Sequence, residues 1–204
     1  MEIDPREIPA RDVYFRMIST IVPRPIAWVS SVSETGQPNL APFSFFTGVT
    51  SKPPTLAFCV GNKRGGIPKD TVANIMATGE FVVNMVPDSL TRDMVQTSAP
   101  YDADTNEFAA AGVESIASTQ VAVPRVSGSP VSYECTLHQI VEIKHEDRIT
   151  SRMVIGNIVY MHIDDEILDE EGQVDIELLK PVSRIGGQSY ATIGETFEIP
   201  RPTV

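Results

Sequence analysis

The loop Gly61-Asn62-Lys63-Arg64-Gly65-Gly66, followed by Lys69-Asp70-Thr71 at a predicted helix start, brings together three things an anion needs. These are flexible backbone amides, cationic side chains and the positive end of a helix dipole. It is the best local phosphate site in the chain. It is not a P-loop, because Ile67 stands where the lysine after the last glycine belongs, and no Gly-x-Gly-x-x-Gly occurs. A second stretch, Pro38–Phe46, sets aromatics and a hydroxyl beside Asn39 and the ladder-breaking Pro42. Such a strand region could offer an aromatic edge, backbone groups and an amide side chain to a planar heterocycle. Each stretch also has a plainer reading. An ordinary solvated loop accounts for the first, and core packing for the aromatics of the second.

Other chemistries find little support. There is no Ser/His/Asp set, no Gly-x-Ser-x-Gly elbow and no defensible carboxylate pair, so the catalytic residues are left unassigned. The three histidines, His138, His145 and His162, form no close-spaced ligand pair with a cysteine, and no metal is expected. Asp102-x-Asp104-x-Asn106 opens like a calcium loop, but Glu107 stands where glycine is required, and a helix cap is the expected role. Cys59 and Cys135 lie in apolar segments and are expected to be buried free thiols. A chain without acid, base or nucleophile machinery suits chemistry delegated to a cofactor, for which the protein supplies binding and orientation.

With 204 residues, 42% hydrophobic and 21% charged, the chain can bury a substantial core, and one domain over 1–204 is the simplest organisation. A net charge of -11 and a pI near 4.7 leave no basic patch to follow a phosphate backbone, which argues against nucleic acid. Apolar runs are too short to span a bilayer, and the first residues lack the basic and apolar regions of a signal peptide. A cytoplasmic protein without a membrane partner is expected.

The elements that must position the two stretches are mostly strands. Ile26–Ser33 reads as the first arm of a hairpin turning at Glu34–Gln37, and Asn39–Thr50 as its return, with Pro42 marking an edge, a bulge or a ligand-facing stretch. Thr55–Val60 reads as a buried strand running into the Gly61–Pro68 loop. Asp70 is expected to cap a short helix whose apolar face holds Val72, Ile75 and Met76, with Gly79 as its stop. Glu80–Val86 follows as a strand, then short helices near Ser89–Thr97 and Asp104–Ala111, the latter with Asp104 and Glu107 at capping-box spacing. Val131–Lys144 and Ile149–Ile163 are two long strands joined at His145–Arg148. The expected architecture is therefore mainly β: an antiparallel barrel with a few short helices over its openings. Arg184–Val204 reads as too irregular for a core element, with 191–204 a C-terminal arm or a frayed tail.

Several ordered motifs resemble one family. Pro23-Arg24-Pro25-Ile26-Ala27-Trp28-Val29-Ser30, Gly36-x-Pro38-Asn39-x-Ala41-Pro42-Phe43-Ser44-Phe45-Phe46, Ser51-x-Pro53-Pro54, Lys69-Asp70-Thr71-x-x-Asn74-Ile75 and Thr78–Asn84 are similar to the flavin reductase-like, FMN-binding split β-barrel family. Gly156 and Arg184-x-Gly186-Gly187-x-x-Tyr190 resemble its later landmarks. The resemblance covers roughly residues 10–190. It implies an antiparallel Greek-key split barrel, a homodimer with FMN near the subunit interface and, often but not always, reduction of flavin by NADH or NADPH. By position, Asn39, Ala41, Ser44 and Phe45 would lie along the flavin ring and ribityl chain, with Pro42 among them, and Lys69, Asp70 and Thr71 near the phosphate. Arg24 and Arg64 are further candidates, or else surface cations. Tyr190 would cover the ring or serve packing. The implied activity passes hydride from NAD(P)H to flavin and electrons on to a small acceptor or partner. Many relatives carry a histidine five residues before the glycine matching Gly156, where it organises nicotinamide. Ser151 stands there in this chain. The departure leaves room for the alternative, an electron-transfer or flavin-carrier protein without direct nicotinamide turnover.

Overall fold

A computed structural model describes residues 1–203. In chain order the elements are α1 (Ala10–Thr20), β1 (Arg24–Pro25), β2 (Ala27–Val32), β3 (Pro38–Phe43), β4 (Phe46–Ser51), β5 (Pro54–Gly61), α2 (Asp70–Thr78), β6 (Glu80–Asn84) and α3 (Thr91–Gln96). They continue with α4 (Glu107–Ala111), β7 (Ser115–Ile116), β8 (Arg125–Val126), β9 (Val131–His145), β10 (Arg148–Ile163), α5 (Ile176–Leu179), β11 (Val182–Gly186) and β12 (Ser189–Thr192). The protein is thus mainly β with a few short helices. Seven strands form one antiparallel sheet in the order β3-β2-β6-β9-β10-β5-β4, and β1-β11-β12 form a smaller one. The hydrogen-bonded ladder is open, with β3 and β4 at its two ends and Ser44-Phe45 carrying the chain from one to the other. No helix among the described residues is long and apolar enough to cross a membrane.

The two-residue period of β2 sorts its side chains into two cores. Ala27 and Val29 face the main cluster with Phe58, Phe81, Val83 and Cys135, whereas Trp28, with Ile26 before the strand, faces a second cluster beneath α3 and α4. Val72 and Ile75 dock α2 onto the main cluster, and Gly79 ends that helix in the left-handed region at φ 74°. This packing places the start of α2 beside β3.

Several expectations are corrected, one being that Met76 shares the apolar face of α2, since its side chain is exposed. Asn39–Thr50 is two strands, because Phe43 still pairs with Ala27 on β2 while Phe46 pairs with Phe58 on β5. The chain therefore changes partner strands between them. The stretch from Arg184 is more regular than its glycines suggest, since Gly186 and Gly187, both at positive φ, turn β11 into β12. Cys135 is buried as expected, whereas Cys59 is only half-buried, and both thiols are free.

Pro42 is tolerated because β3 is an edge strand. Leu40 directs its N–H away from β2, and Pro38 and Pro42, which share that outward parity, have no N–H to leave unpaired. Elsewhere, buried Glu134 on β9 accepts hydrogen bonds from the amides of Thr119, Gln120 and Val121 at 2.6–3.1 Å and is joined by His162 Nε2 at 2.5 Å. Burial opposes its ionisation, but these hydrogen bonds outweigh that and hold its carboxyl below the ordinary value. They pin the 119–121 loop to the sheet.

Gly156 on β10 admits the Phe81 ring. A Cβ at this position would lie 2.9 Å from Phe81 Cε1 and closer still to Cζ, in a ring that is fully buried and packed edge-on to Phe58. Gly156→Ala is expected to cost about 1–3 kcal/mol through overpacking. The check is a lower urea midpoint with an unchanged far-ultraviolet circular dichroism spectrum.

Candidate functional site

A cavity of about 650 Å³ opens between the edge of β3, the start of α2 and the segment that follows α3. Asn39, Ala41, Pro42, Arg64, Lys69, Asp70 and Thr71 all line it, which brings most of the candidates from the two distant sequence stretches into one place. Ser44 and Tyr190 line a smaller cavity of about 220 Å³. The two cavities share Pro42 and Ser98 and so form adjoining parts of one groove.

Arg24 and Phe45 line neither cavity. Arg24 is 4% exposed, and its Nη1 donates to the carbonyls of Ile18 and Ile21 at the end of α1. Its guanidinium lies 5.8 Å from the Phe45 ring centroid, and its Nε donates to Ser44 Oγ at 3.4 Å. Arg24 therefore reaches the groove only through Ser44.

At the helix end, residues are held by one another. Asn39 Nδ2 donates to Thr71 Oγ1 at 3.0 Å, and both residues are buried. Asp70 does not cap α2 as expected. Lys69 occupies the cap position with no side-chain hydrogen bond, and the Asp70 carboxylate instead accepts both its hydrogen bonds from Lys63 Nζ, at 2.7 Å. The amides of Asp70 and Thr71 have no hydrogen-bond partner among the described residues. Free donors at an uncapped helix start, with the Lys69 and Arg64 cations nearby, are what an anion requires.

Sequence reasoning missed the third wall. Thr97–Ala103 lines the cavity from the side opposite the strand, and Trp28 Nε1 fixes its beginning by donating to Thr97 Oγ1 at 2.9 Å. Gln37 Nε2 holds its far end through the Asp104 carbonyl at 3.1 Å. Glu107 also lines the cavity and was read only as part of a helix cap. Asn106 is the actual cap of α4, accepting from the amides of Phe108 and Ala109. The Glu107 carboxylate is thereby freed to accept the outward N–H of Leu40 at 3.1 Å. No local signal announces that contact, since its partner is on another element.

The arrangement offers a slot with polar and apolar walls, ending in free amides and cations. It can hold a flat body that carries an anionic tail. The chain matches the family model described as flavin reductase like domain over residues 18–179. It belongs to the flavin reductase-like family. This flavin reductase-like chain is similar over 98% of its length to 98% of nitrilotriacetate monooxygenase component B from Bacillus cereus, with 34% identity and a TM-score of 0.94. It is also similar to the 2-nitrobenzoate 2-nitroreductase NbaA of Pseudomonas fluorescens, with 31% identity, a TM-score of 0.89 and coverage of 100% and 97% of the two chains. A Shewanella frigidimarina protein with a split barrel domain shares its fold at 24% identity and a TM-score of 0.85, covering 99% and 100%.

Burial pushes the Glu107 carboxyl above its ordinary value, with the Asp70 charge adding to the rise and the Leu40 amide and Lys63 opposing it. Ionised Glu107 therefore costs stability. That cost is absent below the ordinary carboxylate range and complete once the pH exceeds the raised value. Glu107→Gln keeps an oxygen for Leu40 and removes the charge. The urea midpoint of the variant, relative to wild type, is expected to be more favourable near pH 8 than near pH 4. A difference that does not change with pH would contradict this account of the carboxyl.

Proposed function

We propose that the groove binds FMN and that the protein is an oxidoreductase of the flavin reductase type, taking hydride from NADH or NADPH and passing electrons to a small acceptor or partner protein. The observation that carries this reading is the coupling of Asn39 on β3 to Thr71 at the uncapped start of α2 within one cavity. A volume of about 650 Å³ falls within the ~300–1,000 Å³ usual for cofactor-sized ligands. The residues present therefore fit the group in size and in charge.

In this reading the amides of Asp70 and Thr71, with Lys69 and Arg64, hold the phosphate. Asn39, Ala41, Pro42 and Ser44 follow the ribityl chain and ring, Phe45 backs Ser44, and Tyr190 covers the ring from β12. Arg24 orients Ser44 rather than meeting the cofactor. Bound FMN would supply the hydride and electron transfer that no side chain here offers. The protein's own task is to bind, orient and exclude water, with Glu107 keeping the edge of β3 in place through Leu40. The nitroreductase name of one similar structure supports oxidoreductase chemistry in this family.

We further take the chain as a single cytoplasmic domain, its sheet a Greek-key split barrel parted between β3 and β4, acting as a homodimer. Residues beyond β12, where Phe197 and Ile199 are highly exposed, would serve as an arm against the second subunit.

A second reading, a flavin carrier or electron-transfer protein without nicotinamide turnover, is favoured by Ser151. Its hydroxyl donates to the Val60 carbonyl at 3.2 Å and, unlike imidazole, offers no ring to a nicotinamide. Anaerobic titration of the FMN-loaded protein with NADH and then NADPH separates the two. The reductase reading expects stoichiometric loss of oxidised-flavin absorbance with at least one of them. Colour that persists through both titrations would leave the carrier reading standing.

A further inference from the structure

The smaller cavity, beside the Pro42–Ser44 edge, has a chemical character of its own. Phe43, Met94 and Tyr190 provide apolar and aromatic walls, Ser44 and Ser98 bring hydroxyls, and Arg184 brings the only formal charge. Its volume of about 220 Å³ lies below the ~300–1,000 Å³ of drug-sized sites, which suits a single ring and not a dinucleotide.

Arg184 is only partly satisfied by the protein, and its guanidinium lies 4.5 Å from the Tyr190 ring centroid. Its Nη1 donates to Tyr190 Oη at 2.6 Å and its Nη2 to the Gly187 carbonyl, which leaves further N–H donors of the guanidinium unspent. It makes no ion pair among the described residues. Its direct partner across the ladder is another arginine, Arg24, which likewise has no carboxylate. Burial, and then the charge of Arg184, make Arg24 less basic than usual. In a chain of net charge -11, two neighbouring guanidiniums without one acidic partner are an unbalanced positive site. An anion from outside the chain would balance it.

We propose that this pocket binds a small aromatic carboxylate, with its ring against Phe43 and Met94 and its carboxylate on Arg184, while Tyr190 keeps to the flavin ring. The proposal rests on the FMN reading only in seating this ligand beside the flavin ring, and so names the class of molecule the site would act on.

Isothermal titration of the FMN-loaded wild type with benzoate, and separately with benzamide, supplies the charge test without any mutation. Benzoate is expected to bind at least about tenfold tighter, as a charge-assisted hydrogen bond contributes, and to weaken as salt is raised. Arg184→Ala should lose that preference and Arg184→Lys should retain part of it, with FMN affinity falling by a clearly smaller factor than benzoate affinity in each, because Arg184 touches the flavin site only through Tyr190. Equal binding of benzoate and benzamide by the wild type overturns the proposal. So does a loss of FMN affinity in Arg184→Ala that matches the loss for benzoate, because the guanidinium would then belong to the cofactor. Protein that prefers benzoate yet takes up no FMN would keep this pocket and sink the flavin reading; protein that takes up FMN without preferring benzoate would do the reverse.

Discussion

A buried hydrogen bond of 3.0 Å from Asn39 to Thr71 joins the edge strand β3 to the first turn of α2, and the geometry of the groove depends on it. Strand and helix come from opposite sides of the β4–β5 hairpin in sequence, and each has its own reason to be where it is. Phe43 and Ala41 anchor the strand on the main core, and Val72 and Ile75 anchor the helix there. The amide-to-hydroxyl contact then fixes their separation at the point where a ligand would bridge them. Breaking it would leave the buried Thr71 hydroxyl without its donor and Asn39 Nδ2 with only its 3.3 Å bond to Ser31 Oγ, at a cost of about 1–3 kcal/mol. Burial makes the joint stiff, and stiffness suits a site whose work is orientation.

The edge of β3 presents a second constraint. An edge strand invites unwanted pairing, yet a ligand site needs one open. Two prolines remove donors from the outward side, and Glu107 takes the one that remains at Leu40. The outward carbonyls are left as acceptors without competing donors. This solution leaves a buried carboxyl, pushed above its ordinary value by burial, inside the cavity, and three cations and three carboxyls there nearly cancel. In the proposed role, selectivity for an anion would therefore rest on placement: Asp70 is occupied by Lys63, whereas Lys69 makes no ion pair and the helix amides are free.

Local pattern foretold the elements that local pattern controls. The β-branched and apolar strand over Ile26–Ser33, the apolar run of β5, the long β9–β10 hairpin and the Gly79 stop of α2 were all legible, and of the three roles open to Pro42 the structure takes the edge position. Features decided by a distant partner were not. Nothing near Asp70 shows that Lys63 will claim its carboxylate, and nothing near Glu107 points to Leu40. The Thr97–Ala103 wall has the composition of any exposed loop and gains its place through Trp28 and Gln37. Gly186-Gly187 made the stretch from Arg184 read as too irregular for a core element, because a glycine pair marks a tight hairpin turn and a loose segment alike. The family resemblance supplied the order of the motifs, and the fold shows that Asn39, Lys69 and Thr71 converge.

The proposed role of the start of α2 is to anchor the phosphate of a flavin whose ring lies along β3. Equilibrium titration of the purified protein with FMN and with riboflavin, followed by flavin fluorescence, tests it most directly, because the two ligands differ only in that phosphate. FMN is expected to bind at least about tenfold more tightly, from charge-assisted bonds to amides and Lys69. The preference is expected to shrink in Lys69→Ala. Equal affinity for the two flavins, or no binding of either, would contradict it.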